Sequence, residues 1–266
     1  MSLDRPRIMG VVNVTPDSFS DGGRYFDADA AIAAGLAMAE AGADIVDVGG
    51  ETTRPGSLPT APDEECRRVV PVVRALSAGG VHVSIDTRNA TTMQAALDAG
   101  AAIVNDVSAL THDARAAAVV AAARCPVVLM HMRGTPDTMN TQAVYTDIAA
   151  EVRDELAADI AAAEAAGVAP EQIAIDPGIG FAKLAAHSVE LLRRLRDLSV
   201  LNRPIVVGVS RKSFLGRIAG DAEPQRRLAA SLAAGLFALG QGAHVLRVHD
   251  VAETARALRV WQALTC

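Results

Sequence analysis

The stretches Val83-Ser-Ile-Asp86 and Ile103-Val-Asn-Asp106 are short apolar runs that each end in a polar residue, with a helical segment between them. Ile103-Val-Asn-Asp106 does not alternate regularly between apolar and polar side chains, and apolar runs of this kind, rich in Val and Ile, are typical of strands buried on both faces of a parallel sheet. Six more such runs occur, at 8–13, 45–48, 127–131, 173–176, 205–210 and 245–249. Eight strands with helices between them predict an α/β fold, a single (β/α)8 TIM barrel whose active site lies at the strand tips.

The segments between these runs are rich in alanine and predict helices. We expect them at 29–41, 63–76, 91–99, 113–124, 147–166, 187–198, 225–239 and 251–264. Four glycines follow helices directly and predict C-terminal caps: Gly42, Gly100, Gly167 and Gly242. An open, doubly wound sheet is the alternative fold, but no Gly-x-Gly-x-x-Gly follows the first strand.

No linker or composition shift divides the chain, so residues 1–266 are predicted to form one domain. Three connections, at 14–28, 51–62 and 132–146, are too long to be simple turns. All three follow the carboxyl ends of strands, where long loops in a barrel usually carry function. We therefore expect long βα loops 1, 2 and 5 to border the site.

The bulk composition excludes several classes of protein. A net charge of −6 and a pI near 5.5 disfavour a nucleic-acid surface. No apolar stretch is long enough to span a bilayer, so no membrane partner is expected. Cys66, Cys125 and Cys266 are far apart, with no zinc or disulfide spacing, which favours a cytoplasmic location.

Three polar residues at strand tips form the first candidate binding set. Asp86, Asn105 and Asp176 would converge on one mouth if the barrel closes. Carboxylate and amide oxygens suit the edge of an amino-pyrimidine, which presents adjacent N–H groups. The alternative is that each residue caps the helix that follows it.

The second candidate set suits a diphosphate. It contains Asn13, Arg54, Arg247 and His249, which lie at strand ends or on the second long loop. Arginine offers forked donors to phosphate, and the amide oxygen of Asn13 suits Mg²⁺. Salt bridges at the surface and a structural histidine are the alternatives.

The third candidate set follows strand 7. Gly208 would allow close approach of a ligand, Lys212 would project into the bowl, and Ser213 would begin a short helix. The loops after strands 7 and 8 usually bind anions in barrels of this kind. A helix cap with an exposed lysine is the alternative.

Eight segments together resemble the dihydropteroate synthase family. They are Asn13-Val-Thr-Pro-Asp-Ser-Phe-Ser-Asp21, Gly49-Gly-Glu-Thr-Thr-Arg-Pro55, Ser84-Ile-Asp-Thr87, Asn105-Asp-Val, Met130-His-Met-Arg-Gly-Thr-Pro136, Asp176-Pro-Gly-Ile-Gly-Phe-Ala-Lys183, Ser210-Arg-Lys-Ser-Phe-Leu-Gly216 and Arg247-Val-His-Asp250. They occur in order over nearly the whole chain, and the first, second and seventh are individually specific.

The resemblance implies an enzyme of folate biosynthesis. Such enzymes join 6-hydroxymethyl-7,8-dihydropterin diphosphate to p-aminobenzoate with Mg²⁺, forming 7,8-dihydropteroate and diphosphate. The C–O bond breaks first, and the arylamine then adds to the pterin cation. A homodimer and inhibition by sulfonamides, which imitate p-aminobenzoate, are further expectations.

The resemblance also assigns roles to residues. The pterin residues would be Asp86, Asn105, Met130, Asp176, Gly208 and Lys212. The diphosphate residues would be Asn13, Arg54, Arg247 and His249, with Asn13 also touching Mg²⁺. The p-aminobenzoate pocket would contain Phe19, Thr53, Pro55, Gly180, Phe181, Lys212 and Ser213. Catalysis would rest on Asp86, Asp176, Lys212, Arg247 and His249, with Asp21 helping to order the loops over the cation.

Two departures from the family pattern lie beside Phe181. Ala182 stands where many relatives carry glycine, and Leu184 stands where threonine is common. Two alternative functions are a methyltransferase-type pterin-binding barrel and a non-catalytic paralogue. The first does not need the Arg54 loop, the Ser210–Ser213 segment or the first loop, and all three are intact here. Loss of Asn13, Arg54, Lys212 or His249 would favour the second, and none of them is lost.

Overall fold

A computed structural model of the protein describes residues 3–15, 28–52 and 59–265. Eight strands lie within these residues: β1 (Arg7–Asn13), β2 (Ile45–Gly49), β3 (Val83–Asp86), β4 (Ile103–Asp106), β5 (Val127–Met130), β6 (Ile173–Asp176), β7 (Val206–Val207) and β8 (Val245–Val248). Every predicted strand is present, and each pairs in parallel with its neighbours.

Helices alternate with these strands. The α-helices in the described residues are α1 (Ala28–Glu40), α2 (Pro62–Ala78), α3 (Ala90–Asp98), α4 (Ala116–Ala123), α5 (Ile148–Ala165), α6 (Ala185–Arg193), α7 (Ser213–Ala219), α8 (Leu228–Gly240) and α9 (Val251–Thr265). Short 3-10 helices lie at Met139–Gln142, Pro170–Gln172, Leu195–Leu201 and Pro224–Arg227. No helix of the described part is long and apolar enough to cross a membrane.

The sheet closes on itself. The strand order is β6-β5-β4-β3-β2-β1-β8-β7, so the first and last strands in the sequence are neighbours. A parallel bridge between Ile175 and Ile205 joins β6 to the segment that leads into β7. This closure confirms the (β/α)8 barrel and excludes the open sheet.

Side-chain alternation divides the strands between two apolar layers. Inside the barrel, a small cluster fills the amino-terminal half: Met9, Ile45, Ile103, Val128, Val206 and Val245. The alternate side chains, such as Val46, Ile85 and Leu129, pack outward against the helices in the large core. Further along the strands the interior positions become polar, and this change of composition places the site at the carboxyl end.

Two predicted boundaries differ from the structure. The strand expected at 205–210 is regular only over Val206–Val207. Beyond it, the amide of His249 donates to Ser210 Oγ (3.2 Å), so a side chain takes the place of a ladder carbonyl. The helix expected at 187–198 ends at Arg193, and the chain continues as a 3-10 helix over Leu195–Leu201.

The four predicted glycine caps are confirmed by their backbone conformation. Gly42, Gly100, Gly167 and Gly242 have φ values of +107°, +108°, +97° and +99°. This region of φ favours glycine, because other residues place Cβ against the backbone there. The local chemistry of the sequence therefore sets where these helices end.

Candidate active site

The predicted polar ring is assembled at the carboxyl end of the barrel. Asp86 and Asp176 are the last residues of β3 and β6, and Asn105 lies in β4 directly beside Asp86 in the strand register. Met130, which ends β5, is the register partner of Asp176. Asn105, Met130 and Asp176 are buried, whereas Asp86 is slightly exposed. The strand tips thus bring these four predicted pterin residues to one mouth.

Arg247 lies in β8 and contacts two carboxylates across the barrel. Its Nε donates to Asp47 Oδ2 (2.7 Å), and its Nη2 donates to Asp86 Oδ2 (2.5 Å). Burial opposes its charge, but Asp47 and Asp86 hold the pKa of Arg247 above its usual value. The guanidinium therefore links the predicted pterin and diphosphate sets, and its Nη1 group makes no hydrogen bond to a described residue.

Asp47 is a site residue that the sequence reasoning missed. It is fully buried in β2, and its Oδ2 accepts from both Arg247 and the side-chain amide of Asn105 (3.0 Å). The sequence pattern points to site residues at strand tips, and Asp47 lies two residues before the end of its strand. The available signal was alternation, since Asp47 shares a face with Ile45 and Gly49.

The acidic residues of the site are close enough to one another to disfavour each other's charge. Burial raises the pKa of Asp86 to about 7; Arg247 opposes this rise, and Asp47 adds to it. Oδ1 of Asp47 is buried and has no hydrogen-bond partner among the described residues. A site that leaves carboxylate oxygens unsatisfied is suited to a ligand that brings N–H donors or developing positive charge.

A gap separates Asp176 from Arg247 at Gly208. A Cβ on Gly208 would project to 4.0 Å from Asp176 Oδ2 and 3.9 Å from Arg247 Cβ. Asp176 Oδ1 already accepts from the amide of Gly178 (2.7 Å), and burial raises the pKa of Asp176. Glycine at 208 therefore leaves room for a flat group between an acid and a guanidinium.

Lys212 lies beside the predicted p-aminobenzoate residues. Its Nζ is 4.2 Å from the centroid of the Phe181 ring, a cation–π contact. A Cβ on Gly180 would meet Lys212 Cδ at 3.4 Å, so the residue is close to the lysine stem. Burial lowers the pKa of Lys212 to about 8, with Asp176 opposing this change. Ser213 is exposed and is the first residue of α7, as predicted.

His249 follows β8, which lies next to β1, and its surroundings affect the charge of its ring. Nδ1 of His249 is 3.1 Å from Ser210 Oγ. Burial lowers the pKa of His249 to about 4, and Arg211 and Arg247 lower it further. Without a ligand, burial and the neighbouring arginines therefore favour the neutral form of His249.

Asn13 ends β1, in register with Gly49. Its side chain is half-buried and makes no hydrogen bond to another described residue. No cluster of three or more His, Cys, Asp or Glu residues that suits a metal occurs in the described part of the chain. An amide oxygen without a partner among the described residues fits Mg²⁺, which takes one or two protein ligands and completes its shell with phosphate oxygens and waters.

Five predicted site residues lie outside the residues that the structure describes: Phe19, Asp21, Thr53, Arg54 and Pro55. The structure therefore locates only some residues of the predicted diphosphate and p-aminobenzoate sets. Asp176 and His249 both follow carboxyl ends of parallel strands, so they open onto the same end of the barrel. This shared mouth is the geometric condition on which the sequence interpretation depended.

Comparison with known proteins agrees with this geometry. A family model described as pterin binding enzyme matches residues 9–249. The dihydropteroate synthase of Mycobacterium leprae is 48% identical over 266 residues, which cover 98% of this chain and 94% of that protein.

Two solved structures are similar over the full chain. The dihydropteroate synthase of Xanthomonas albilineans with 4-aminobenzoic acid has a TM-score of 0.94 and 48% identity, covering 100% of this chain and 95% of that one. The Yersinia pestis dihydropteroate synthase in complex with a sulfonamide drug has a TM-score of 0.94 and 40% identity, covering 100% and 96%. The chain therefore belongs to the dihydropteroate synthase family of pterin-binding enzymes.

Proposed function

We propose that this protein joins 6-hydroxymethyl-7,8-dihydropterin diphosphate to p-aminobenzoate, forming 7,8-dihydropteroate and releasing diphosphate. Its family membership supports this reaction. The observation that carries the proposal is the set of inward-facing acids in the carboxyl half of the barrel, Asp47, Asp86 and Asp176, of which Asp47 has a buried Oδ1 without a hydrogen-bond partner among the described residues. A ring of acids with unsatisfied oxygens suits a heterocycle that becomes a cation.

The acidic residues would bind and stabilise the pterin. Asp86, Asn105 and Asp176 offer acceptors at three neighbouring or nearby strand tips, and Met130 lies beside Asp176 as an apolar contact for the ring. Ionisation of the C–O bond puts positive charge on the pterin, and fixed carboxylates stabilise that charge without reorganising. The gap at Gly208 would admit the flat ring.

The leaving diphosphate would be held at the junction of β8 and β1. Arg247, His249 and Asn13 lie at or near the tips of these two neighbouring strands, and the resemblance adds Arg54. His249 enters this site neutral, and a bound diphosphate would raise its pKa and favour a charged donor. Mg²⁺, when bound through Asn13, would supply charge neutralisation on the diphosphate oxygens.

The arylamine would bind at the β6 and β7 loops. Gly180, Phe181, Lys212 and Ser213 surround one side of this region, and the resemblance adds Phe19, Thr53 and Pro55. The exposed N–H groups at the start of α7 and the ammonium of Lys212 suit the carboxylate of p-aminobenzoate. Sulfonamides would compete for the same place.

A diphosphate-release assay tests the proposal. The protein is supplied with the pterin diphosphate and Mg²⁺, with and without p-aminobenzoate, and product is identified by mass. Formation of dihydropteroate, inhibited by a sulfonamide, is expected. No diphosphate release under any of these conditions would reject the function, and full turnover at saturating sulfonamide would reject the inhibitor site.

We also propose that the protein is a cytoplasmic homodimer. The dimer rests on the family resemblance, and exposed apolar side chains on α8 and α9 support it: Phe237, Val260 and Leu264. Sedimentation of the wild type and of a Phe237→Glu/Val260→Glu variant tests this surface. A wild-type dimer that the variant leaves intact would place the interface elsewhere.

A further inference from the structure

The loop between β6 and α6, residues 177–184, has an unusual backbone. Three of its residues have positive φ values: Gly178 at +64°, Gly180 at +83° and Ala182 at +48°. The left-handed region costs a non-glycine residue roughly 1 kcal/mol or more, so Ala182 carries local strain. This loop contains Phe181, whose ring contacts Lys212. Other contacts must stabilise the strained backbone of the loop.

Lys183 is the side chain that fastens the loop. It is 8% exposed, and its Nζ donates to the carbonyl of Phe181 (3.0 Å). The same Nζ lies 2.8 Å from Nδ1 of His131 and 3.5 Å from the carbonyl of His131. The loop also approaches His131 so closely that a Cβ on Gly178 would lie 2.0 Å from that carbonyl oxygen.

His131 links Lys183 to the layer of helices outside the barrel. It follows β5, is 2% exposed, and its Nε2 lies 2.9 Å from Glu155 Oε2 in α5. An ammonium has no lone pair, so Nδ1 of His131 accepts from Lys183 and Nε2–H donates to Glu155. Burial lowers the pKa of His131, which agrees with a neutral ring between the two charges.

We propose that Lys183 is a positioning residue for the arylamine: its ammonium, anchored through His131 to Glu155, holds the Phe181 carbonyl so that the Phe181 ring stays on Lys212. The inference rests on the proposed p-aminobenzoate subsite. Lys183 touches no substrate in this arrangement, because its donors are directed to His131 and to loop carbonyls. It acts on the subsite through Phe181.

Steady-state kinetics of Lys183→Met separates this role from general support of the fold. The KM for p-aminobenzoate is expected to rise roughly tenfold, as for loss of a hydrogen bond from a charged group. The Kd for the pterin diphosphate should stay within about twofold, since Asp86 and Asn105 lie on other strands and Asp176 is held by the amide of Gly178, not by Lys183. Arg203→Met is the matched control, because Arg203 is also a largely buried cation (19% exposed, paired with Glu164 at 2.6 Å) but precedes β7 at the opposite end of the barrel. An equal change in both constants, or no change in either, would overturn the proposal.

A second measurement needs no activity. The chain has five phenylalanines, so protein labelled with 4-fluorophenylalanine gives five ¹⁹F resonances, and Phe181→Leu assigns the one of interest. The Phe181 resonance is expected to shift or broaden in Lys183→Met and to stay unchanged in Arg203→Met. An unmoved resonance in Lys183→Met would reject the positioning role. A wild type without diphosphate release would reject the proposed function and leave this spectrum as a valid test of Lys183.

A further variant covers the case in which Lys183→Met does not fold. Glu155→Ala removes the outer anchor at a side chain that is 40% exposed. A smaller shift of the same ¹⁹F resonance and a rise of a few-fold in the KM for p-aminobenzoate are expected. If neither changes in Glu155→Ala, the relay through His131 is wrong.

Discussion

Lys183 and Lys212 are the two lysines of the chain, whose other basic side chains are arginines or histidines, and both contact Phe181. Lys212 faces the aromatic ring, with Nζ 4.2 Å from its centroid, while Lys183 donates to the backbone carbonyl at 3.0 Å. Burial lowers both pKa values, to about 7 for Lys183 and about 8 for Lys212. The two side chains therefore carry the same ammonium group and contact the same residue.

They differ in what their donors contact. Lys183 uses its ammonium on His131 and on two loop carbonyls. The ammonium of Lys212 makes no hydrogen bond to any other residue in the described part of the chain. A buried cation with satisfied donors stabilises the protein's own geometry, whereas one with free donors is prepared for a ligand.

Arg247 has donors that are satisfied by the protein as well as a donor that a ligand can use, and its substitution is expected to have the largest effect. It donates to Asp47 and Asp86, and its Nη1 makes no hydrogen bond to any residue that the structure describes. Arg247→Ala should lower kcat/KM by roughly 10²- to 10³-fold, because charge stabilisation of the leaving group is lost. It should also lower the free energy of unfolding by about 3 kcal/mol, because two carboxylates lose their partner. Kinetics and urea denaturation measure the two losses, and a variant that loses activity alone would show that the carboxylates do not need this cation.

Lys212→Met should separate activity from stability. We expect kcat/KM to fall roughly 10²-fold, with weaker binding of both substrates, because the free ammonium serves both subsites. The free energy of unfolding should stay level or rise, since the fold loses a half-buried charge that has no hydrogen-bond partner among the described residues. Calorimetric Kd values for each substrate check this. Weakened binding of a single substrate would confine Lys212 to one subsite, and a marked loss of stability would erase its contrast with Arg247.

The pH profile should distinguish the two lysines directly. Asp86, with a pKa near 7, is needed as a carboxylate, and Lys212, with a pKa near 8, is needed as an ammonium. At saturating p-aminobenzoate, kcat/KM for the pterin diphosphate should fall below the first value and above the second, by up to about tenfold per pH unit. Lys183→Met should keep both limbs, and Lys212→Met should lose the alkaline limb. An alkaline limb that disappears in Lys183→Met instead would reverse the assignment.

Phe181→Leu should give the smallest change. Loss of one cation–π contact is worth about 0.5–2 kcal/mol, so the KM for p-aminobenzoate should rise a few-fold to tenfold. The pterin Kd should not change, because Asp86, Asn105 and Asp176 are untouched. Competitive titration with a sulfonamide provides an independent measure, and its Ki should rise in parallel. A larger effect on the pterin than on p-aminobenzoate would place Phe181 in the wrong subsite.

Much of this arrangement could be predicted because it follows from local periodicity. The period-two rule places Asp86 and Asp176 at strand tips, and parallel strands carry them to one end. The same rule predicts that Asp47 faces inward, yet nothing local distinguishes an inward aspartate from an error in strand register. Its importance appears only with Arg247, which is 200 residues away in the sequence.

The protonation states of the site residues could not be predicted from local periodicity. The sequence places His249 in the diphosphate set but does not give its charge, and burial lowers its pKa to about 4. Lys183 was noted only as the end of a motif, since its contacts with His131 and Glu155 cross from one strand loop to another and then to a helix. A pKa depends on distances to all neighbouring charges and on exclusion of water, and neither is written in a local pattern.

The barrel, the helix ends at glycine and the family resemblance can all be inferred from the amino-acid sequence, because apolar period, turn chemistry and motif spacing are properties of contiguous residues. The pairing of charges depends on the folded structure. This structure joins Arg247 to Asp47 and Asp86, and it gives Lys183 a full set of acceptors while leaving Lys212 with none among the described residues. The reason is that pairing requires side chains from distant segments to meet within about 3 Å, and closure of the barrel sets those distances.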